Sequence, residues 1–189
     1  MTVAILILAA GASSRMRGTD KLLEIAHGKP LLRLVAERAL EVSREVIVTL
    51  PPDSNRLDVL EGLAISAVTV ERPEDGVSAS IRAGVQTLSE SSEGVMILPA
   101  DMPDLDASDL GNVIQAFVNN REITRGATYD QRPGHPVVFP RRDFEKLCGL
   151  SGDQGAREIL KDQPIELVPL PGEHALTDLD TPEDWDRWR

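Results

Sequence analysis

Cysteine is all but missing from this 189-residue chain: Cys148 is its single one. An internal disulfide framework is therefore excluded, and the scarcity fits a reducing, cytoplasmic setting. Cys148 follows Leu147 near the end of an expected helix, which makes burial its simplest role. Long apolar runs are missing too. No stretch approaches the ~20 residues that crossing a bilayer needs. The N-terminal run has no basic residue before it, so it reads as a strand and not a signal peptide, and no membrane partner is expected. Basic residues are outnumbered, 20 Lys and Arg against 31 Asp and Glu for a net charge of −11. That balance argues against nucleic acid as a partner, because such binding runs on basic patches. The histidines His27, His135 and His174 lie too far apart in sequence for a zinc-type cluster. No Ser-His-Asp set or cysteine pair stands at recognisable spacing. Both familiar glycine signatures, G-x-G-x-x-G and the P-loop G-x-x-x-x-G-K-[ST], are absent. What remains, 41% hydrophobic and 27% charged residues, is an ordinary globular composition at a length that suits one domain, 1–189.

The most informative stretch runs from Leu8 to Lys21. It is fed by Val3-Ala4-Ile5-Leu6-Ile7-Leu8, a short apolar run that reads as a fully buried parallel strand. Ala9, Ala10, Gly11, Ala12, Ser13 and Ser14 follow, small residues that leave backbone N–H groups open to a ligand, and Arg15 and Lys21 then supply positive charge. Close backbone approach together with cations is what a triphosphate needs. Small residues alone would suit a plain strand-to-helix turn; the two cations tip the reading toward a ligand site.

Apolar strands and amphipathic helices alternate along most of the chain. Pro30 suits a first helical position, with Leu31, Val35, Ala39 and Val42 at helical intervals. Strands are expected at Glu45–Leu50, Ile65–Val70 and Val95–Leu98, a short helix around Arg56–Gly62, and a longer one with Val77, Ile81, Val85 and Leu88 on one face. Asp106 or Ser108 can cap a helix running to about Asn119. From residue 121 the rhythm changes to short strands at about 124–129 and 136–139 and short helices at about 141–148 and 154–161. The expectation is an α/β fold with a mainly parallel central sheet covered on both faces and ligands at the strand C-termini.

Acids at strand exits suggest the chemistry. Asp101 sits just past a buried strand, and Asp104, Asp106 and Ser108 lie nearer the following helix as caps. Asp101 is thus left to coordinate a hard cation such as Mg2+. Asp178 and Asp180 flank Leu179 and, in extended backbone, share a face. One of the two is expected to complete a metal site with Asp101. Thr181-Pro182-Glu183-Asp184 reads as a capped helix start. Gly152 to Arg157 begins another helix, where N–H groups and Arg157 could hold an anion while Asp153 acts as cap or ligand contact.

The pattern L-A-A-G-x-S-x-R-M-(x)-G-x-x-K resembles the signature loop of the nucleotidyltransferases that include molybdenum cofactor cytidylyltransferase and its guanylyl-transferring relative. Arg17 makes the loop one residue longer than the commoner R-M-G-x-x-K. Four later segments match in the same order: Pro99-Ala100-Asp101-Met102-Pro103, Gly134-His135-Pro136-Val137, Gly152-Asp153-Gln154-Gly155-Ala156-Arg157, and Asp178-Leu179-Asp180-Thr181-Pro182-Glu183-Asp184. The resemblance implies a three-layer Rossmann-like nucleotide-diphospho-sugar transferase fold, with nucleotide bound by the part about 1–105 and acceptor by an elaboration about 121–165. It implies Mg2+-dependent transfer of CMP from CTP to a molybdopterin-type phosphorylated pterin, with release of pyrophosphate. Arg15, Lys21 and Asp101 would be catalytic, and Asp101, Asp178 and Asp180 metal-binding. The nucleotide would meet Leu8, Ala9, Ala10, Gly11, Ala12, Ser13 and Lys21, with Pro99 and Ala100. Ser80, then Ser78, would meet the pyrimidine, although both serines could equally be cap or surface residues. Gly134, His135, Asp153 and Arg157 would line the acceptor pocket. CTP is favoured over GTP on Ala10, where guanylyl-transferring relatives typically have glycine. Two alternatives stand beside this: transfer from GTP or CTP to a sugar or polyol phosphate, and a non-catalytic nucleotide- or cofactor-binding accessory protein. A recipient molybdoenzyme or its chaperone is a further partner the resemblance allows.

Overall fold

The run TVAILIL forms strand β1 (Thr2–Leu8), with every residue from Val3 to Ile7 buried, as a strand covered on both faces must be. A computed structural model describes residues 2–152, 155–161 and 163–189. After β1 the chain makes a two-residue hairpin, β2 (Ile25–Ala26) and β3 (Lys29–Pro30), then helix α1 (Leu31–Val42). The sheet continues with β4 (Val46–Leu50), β5 (Ser66–Thr69), β6 (Ser92–Pro99), β7 (Ile123–Ala127), β8 (Pro133–Pro140) and β9 (Ile165–Pro169). Its spatial order is β5-β4-β1-β6-β8-β7-β9. Strands β5, β4, β1 and β6 run parallel, β8 is antiparallel to both β6 and β7, and β9 is parallel to β7. Only β8 is reversed among these. The C-terminal ends of β1, β6 and β7 therefore share one rim with the N-terminal end of β8.

Helices cover both faces, giving three layers. Val3, Ile5 and Ile7 of β1 pack with α1, with α3 (Ala107–Asn120) and with Trp185 of α6 (Pro182–Trp188). Leu6, pointing the other way, packs with Ile81 and Val85 of α2 (Val77–Val85), Leu147 of α4 (Phe144–Cys148) and Ile159 of α5 (Arg157–Leu160). Period-2 alternation along the strand thus feeds two cores at once.

Several expectations need correction. The helix around 56–62 is only a 3-10 turn, Asp58–Leu60. Gly62 at φ 80 stops it, and Arg56 is drawn inward by the polar contacts described below. Pro30 is the N-cap of α1 and not its first residue. The helix at 141–148 splits into a 3-10 turn, Arg141–Asp143, and α4, and the one at 154–161 shortens to α5. Strand β9 was not foreseen, because IELVP is half-exposed throughout and lacks an apolar run. Asp106 caps α3 in a reciprocal box with Asp109, and Thr181 does the same for α6 with Asp184.

Gly84 marks where α2 lies closest to β1. A Cβ there would stand 2.2 Å from Leu6 Cδ1 and 2.7 Å from Cδ2, and Leu6 is fully buried. Gly84→Ala should therefore cost about 1–3 kcal/mol by overpacking. At Gly111, in α3, the nearest atom to an added Cβ is Val42 Cγ1 at 3.7 Å. Gly111→Ala should be neutral or stabilise by up to about 1 kcal/mol through helix propensity. Urea unfolding of the two variants checks the contrast.

Candidate active site

The small residues after β1 form a tight loop pinned from below by Arg56. Its guanidinium, 4% exposed, donates to the Ala9 carbonyl at 2.6 Å, to Ser13 Oγ at 3.1 Å and to both Asp20 carboxylate oxygens at 2.6 and 2.9 Å. Burial works against the Asp20 carboxylate, but the Arg56 contacts, the Leu22 N–H and Ser13 more than offset it and hold its pKa below the ordinary value. The extra residue Arg17 is absorbed at φ 55 between Met16, which is buried, and Gly18 at φ 105. The loop is longer, yet Lys21 is still delivered to the rim.

There Lys21 meets acids from two distant parts of the chain. Its Nζ donates to Asp101 Oδ2 at 2.5 Å and to Asp180 Oδ1 at 2.6 Å, and Arg15 Nη1 lies 2.7 Å from Asp180 Oδ2. Burial disfavours the Lys21 ammonium, but Asp101 and Asp180 outweigh it and raise the pKa above the usual lysine value. The Leu179 N–H donates to the Asp101 carbonyl at 3.0 Å, and buried Leu179 anchors the segment between the two acids. Asp178 has no hydrogen-bonded cation among the described residues. Burial, with the charges of Asp101 and Asp180, pushes its pKa up.

A cleft of about 740 Å3 opens beside this cluster. Leu8, Ala10, Gly11, Arg15 and Lys21 line one end. Pro99, Asp101, Asp178 and Asp180 line the middle, Ser80 the α2 side, and Gly134, His135 and Arg157 the far end. The remaining candidates are not on its wall. Ala9 and Ala100 are buried, Ala12 is exposed, and Ser13 is occupied with Asp20 and Arg56. Ser78 is buried with its Oγ unpartnered, away from the cleft: two helical steps of about 100° separate it from Ser80. Asp153 and Gln154 lie outside the described residues.

His135 sits at the cleft because β8 is reversed. Its N–H donates to the Ala175 carbonyl at 2.8 Å, and Gly134 lies so close to that carbonyl that a Cβ would stand 1.9 Å from it. Burial, then Arg125, lower the His135 pKa to about 4, so the ring is neutral, and its buried Nδ1 has no partner among the described residues. Two arginines escaped the sequence reading. Arg56 stands in a polar turn among other charged residues, and its role depends on a fold contact 36 residues away. Arg125 lines the cleft from the middle of β7; the signal available was a lone cation inside an otherwise uncharged, buried strand.

Residues 5–168 match the MobA-like NTP transferase domain. The chain belongs to the MobA-like NTP transferase family. This MobA-like chain is 29% identical over 194 aligned residues to a protein of Natronomonas pharaonis named probable molybdenum cofactor guanylyltransferase, covering 97% of this chain and 95% of that one. Among solved structures it is similar to Rv0371c of Mycobacterium tuberculosis H37Rv, with TM-score 0.86, 25% identity and coverage of 99% and 97%. A structure of that protein complexed with manganese superposes with TM-score 0.82 at 23% identity, over 99% and 97% of the two chains. The MobA-like chain is thus a nucleotidyltransferase of Rossmann-like fold. Among the described residues, no three His, Cys, Asp or Glu side chains are gathered closely enough to hold a metal by themselves. The carboxylates of the cleft nonetheless fit a hard cation that takes one or two protein oxygens and completes its shell with phosphates.

The Arg56–Asp20 pair gives a stability test for the loop of this MobA-like enzyme. Asp20→Ala leaves a nearly buried guanidinium without its carboxylate and should cost about 3 kcal/mol. Arg56→Met should cost less, because Asp20 at 27% exposure can rehydrate. With its folded pKa depressed, the wild-type Asp20 contribution is complete above about pH 4 and is lost as pH falls through the folded pKa. Urea unfolding between pH 3 and 7 should show an acid limb in the wild type that is flatter in Asp20→Ala.

Proposed function

We propose that the chain transfers CMP from CTP to a molybdopterin-type phosphorylated pterin, with Mg2+, and releases pyrophosphate. The observation that carries this reading is the Lys21 ammonium held between Asp101 and Asp180 beside the small-residue loop. Strand order supports a line of action. The loop after β1 would cradle the triphosphate, the Pro99–Asp101 exit of the neighbouring β6 would hold the metal, and the β8 end with Gly134 and His135 would face the acceptor. On this reading nucleotide binding belongs to the part about 1–105 and acceptor binding to the elaboration about 121–165.

Nucleotidyl transfer asks for alignment and charge stabilisation more than covalent work by the protein. Arg15 and Lys21 would neutralise charge on the departing pyrophosphate. Asp101, with Asp178 or Asp180, would hold Mg2+, which supplies positive charge against the triphosphate when bound. An acceptor phosphate is already ionised at neutral pH, so no strong base is needed, and neutral His135 suits positioning better than proton abstraction. Ser80, on the cleft wall, is the nucleobase contact; the buried Ser78 is not. Ala10 lines the nucleotide end with a methyl group where a purine would want space, which favours CTP. The name of the Natronomonas pharaonis relative favours GTP instead, and that is the second reading.

Pyrophosphate release measured with each of the four nucleoside triphosphates, with a molybdopterin acceptor and with sugar and polyol phosphates, separates these readings. CTP with the pterin should turn over; sole use of GTP would replace the cytidylyl assignment. Asp101→Asn should lower kcat by orders of magnitude, each tenfold loss being ~1.4 kcal/mol of barrier. Lys21→Ala should raise the KM for nucleotide and also lower kcat, as expected for charge that matters most in the transition state. Wild-type turnover by Asp101→Asn would rule out its metal role.

A further inference from the structure

Registers across the sheet align Leu6 with Ile97, Ile97 with Val137, and Val137 with Arg125. This row is apolar on three strands and carries a guanidinium on the fourth. On the same face of β7, Ile123 and Ala127 are buried, so Arg125 interrupts a core surface and its head reaches the cleft. Its Nε donates to the Gly134 carbonyl at 2.5 Å, which fixes the fork beside His135. Its Nη groups have no partner among the described residues, and no carboxylate lies in ion-pair range there.

Three other cations of this region have acids against them. Lys21 and Arg15 are paired with Asp101 and Asp180, and Arg56 with Asp20. Among the described residues Arg125 has the like charge of Arg157 nearby and no acid paired with it, and burial, then that charge, lower its pKa. A half-buried guanidinium without a counter-ion is costly in the ligand-free protein, and the buried Nδ1 of His135 is a second polar atom without a partner among the described residues. The guanidinium's need is met by an oxyanion in the cleft. Arg125 lies three strands from β1, roughly 14 Å at the spacing of paired strands. It therefore stands in the acceptor half of the cleft and not at the loop after β1.

We propose that Arg125, beside His135, binds the phosphomonoester dianion of the acceptor. The planar fork of arginine matches phosphate oxygens in pairs. This rests on the reading of the cleft as a nucleotidyl-transfer site with a phosphorylated acceptor. It makes Arg125 the residue that selects an acceptor bearing phosphate rather than a neutral alcohol or a carboxylate.

Methyl phosphate is the probe, with acetate as the carboxylate control, both at pH 7.5. The readout is the imidazole nitrogens by long-range proton–nitrogen correlation, which is tractable because the chain has three histidines. Methyl phosphate should shift the His135 signals saturably and acetate should not. Arg125→Gln should weaken the apparent Kd at least tenfold, and Arg125→Lys should restore part of it. Thermal unfolding of both Arg125 variants verifies the fold. An unchanged response in Arg125→Gln, no response in the wild type, or an equal response to acetate would each overturn the proposal. Pyrophosphate release is scored separately. A chain that binds methyl phosphate through Arg125 yet releases none keeps the anion site and loses the cytidylyl reading; the reverse loses only Arg125.

Discussion

The ammonium of Lys21 is the point on which the site depends, because it joins segments that lie 80 and 159 residues away along the chain. Asp101 leaves the middle of the sheet, Asp180 belongs to the C-terminal segment, and Lys21 ends the loop that follows the first strand. Two carboxylates brought this close repel, and beside them burial first, then the charges of Asp101 and Asp180, push the pKa of Asp178 up. A cation between Asp101 and Asp180 relieves their repulsion, while the Leu179-to-Asp101 backbone bond sets the spacing. The acids are therefore assembled before any substrate arrives, and little reorganisation is left for the moment of reaction.

Reversal of one strand does the rest. If β8 ran parallel to β6, His135 at its start would lie on the opposite rim from Asp101. Reversed, it brings Gly134 and His135 to the same rim, and its pairing with β7 brings Arg125 after them. The C-terminal segment then closes the wall through the Ala175 carbonyl, which receives the His135 N–H and abuts Gly134. A single departure from parallel order gives the cleft its second half.

What could be read from the sequence was local, and what escaped was not. Strand β1, helix α1 and the caps at Asp106 and Thr181 follow from runs of neighbouring residues, and the structure has them within a residue or two. That Asp101 reaches the rim was also legible, because it follows a buried strand; that the acids at 178 and 180 join it followed from the cap of the next helix leaving both unused and from the resemblance. Arg56 and Arg125 were not, since each takes its meaning from what the fold places against it. Strand β9 escaped because a half-buried edge strand needs no long apolar run. Ser78 and Ser80 were indistinguishable by type, and only helical phase separates one at the cleft from one in the core.

Net charge alone misleads about such a site. The chain as a whole is strongly acidic, and the centre of the cleft repeats that sign with Asp101, Asp178 and Asp180. A triphosphate arriving alone would bring negative charge to these acids and would have to draw Lys21 and Arg15 away from them. A divalent cation arriving alone would meet the Lys21 ammonium between the carboxylates it needs. On the proposed reading, arriving together each would remove the other's obstacle: the cation would take over the carboxylates, and the released side chains would meet the phosphates. Binding of the two would then be positively coupled, and by linkage each would raise the other's affinity by the same factor. An acidic protein can in this way hold a polyanion selectively, provided that the polyanion comes with its metal.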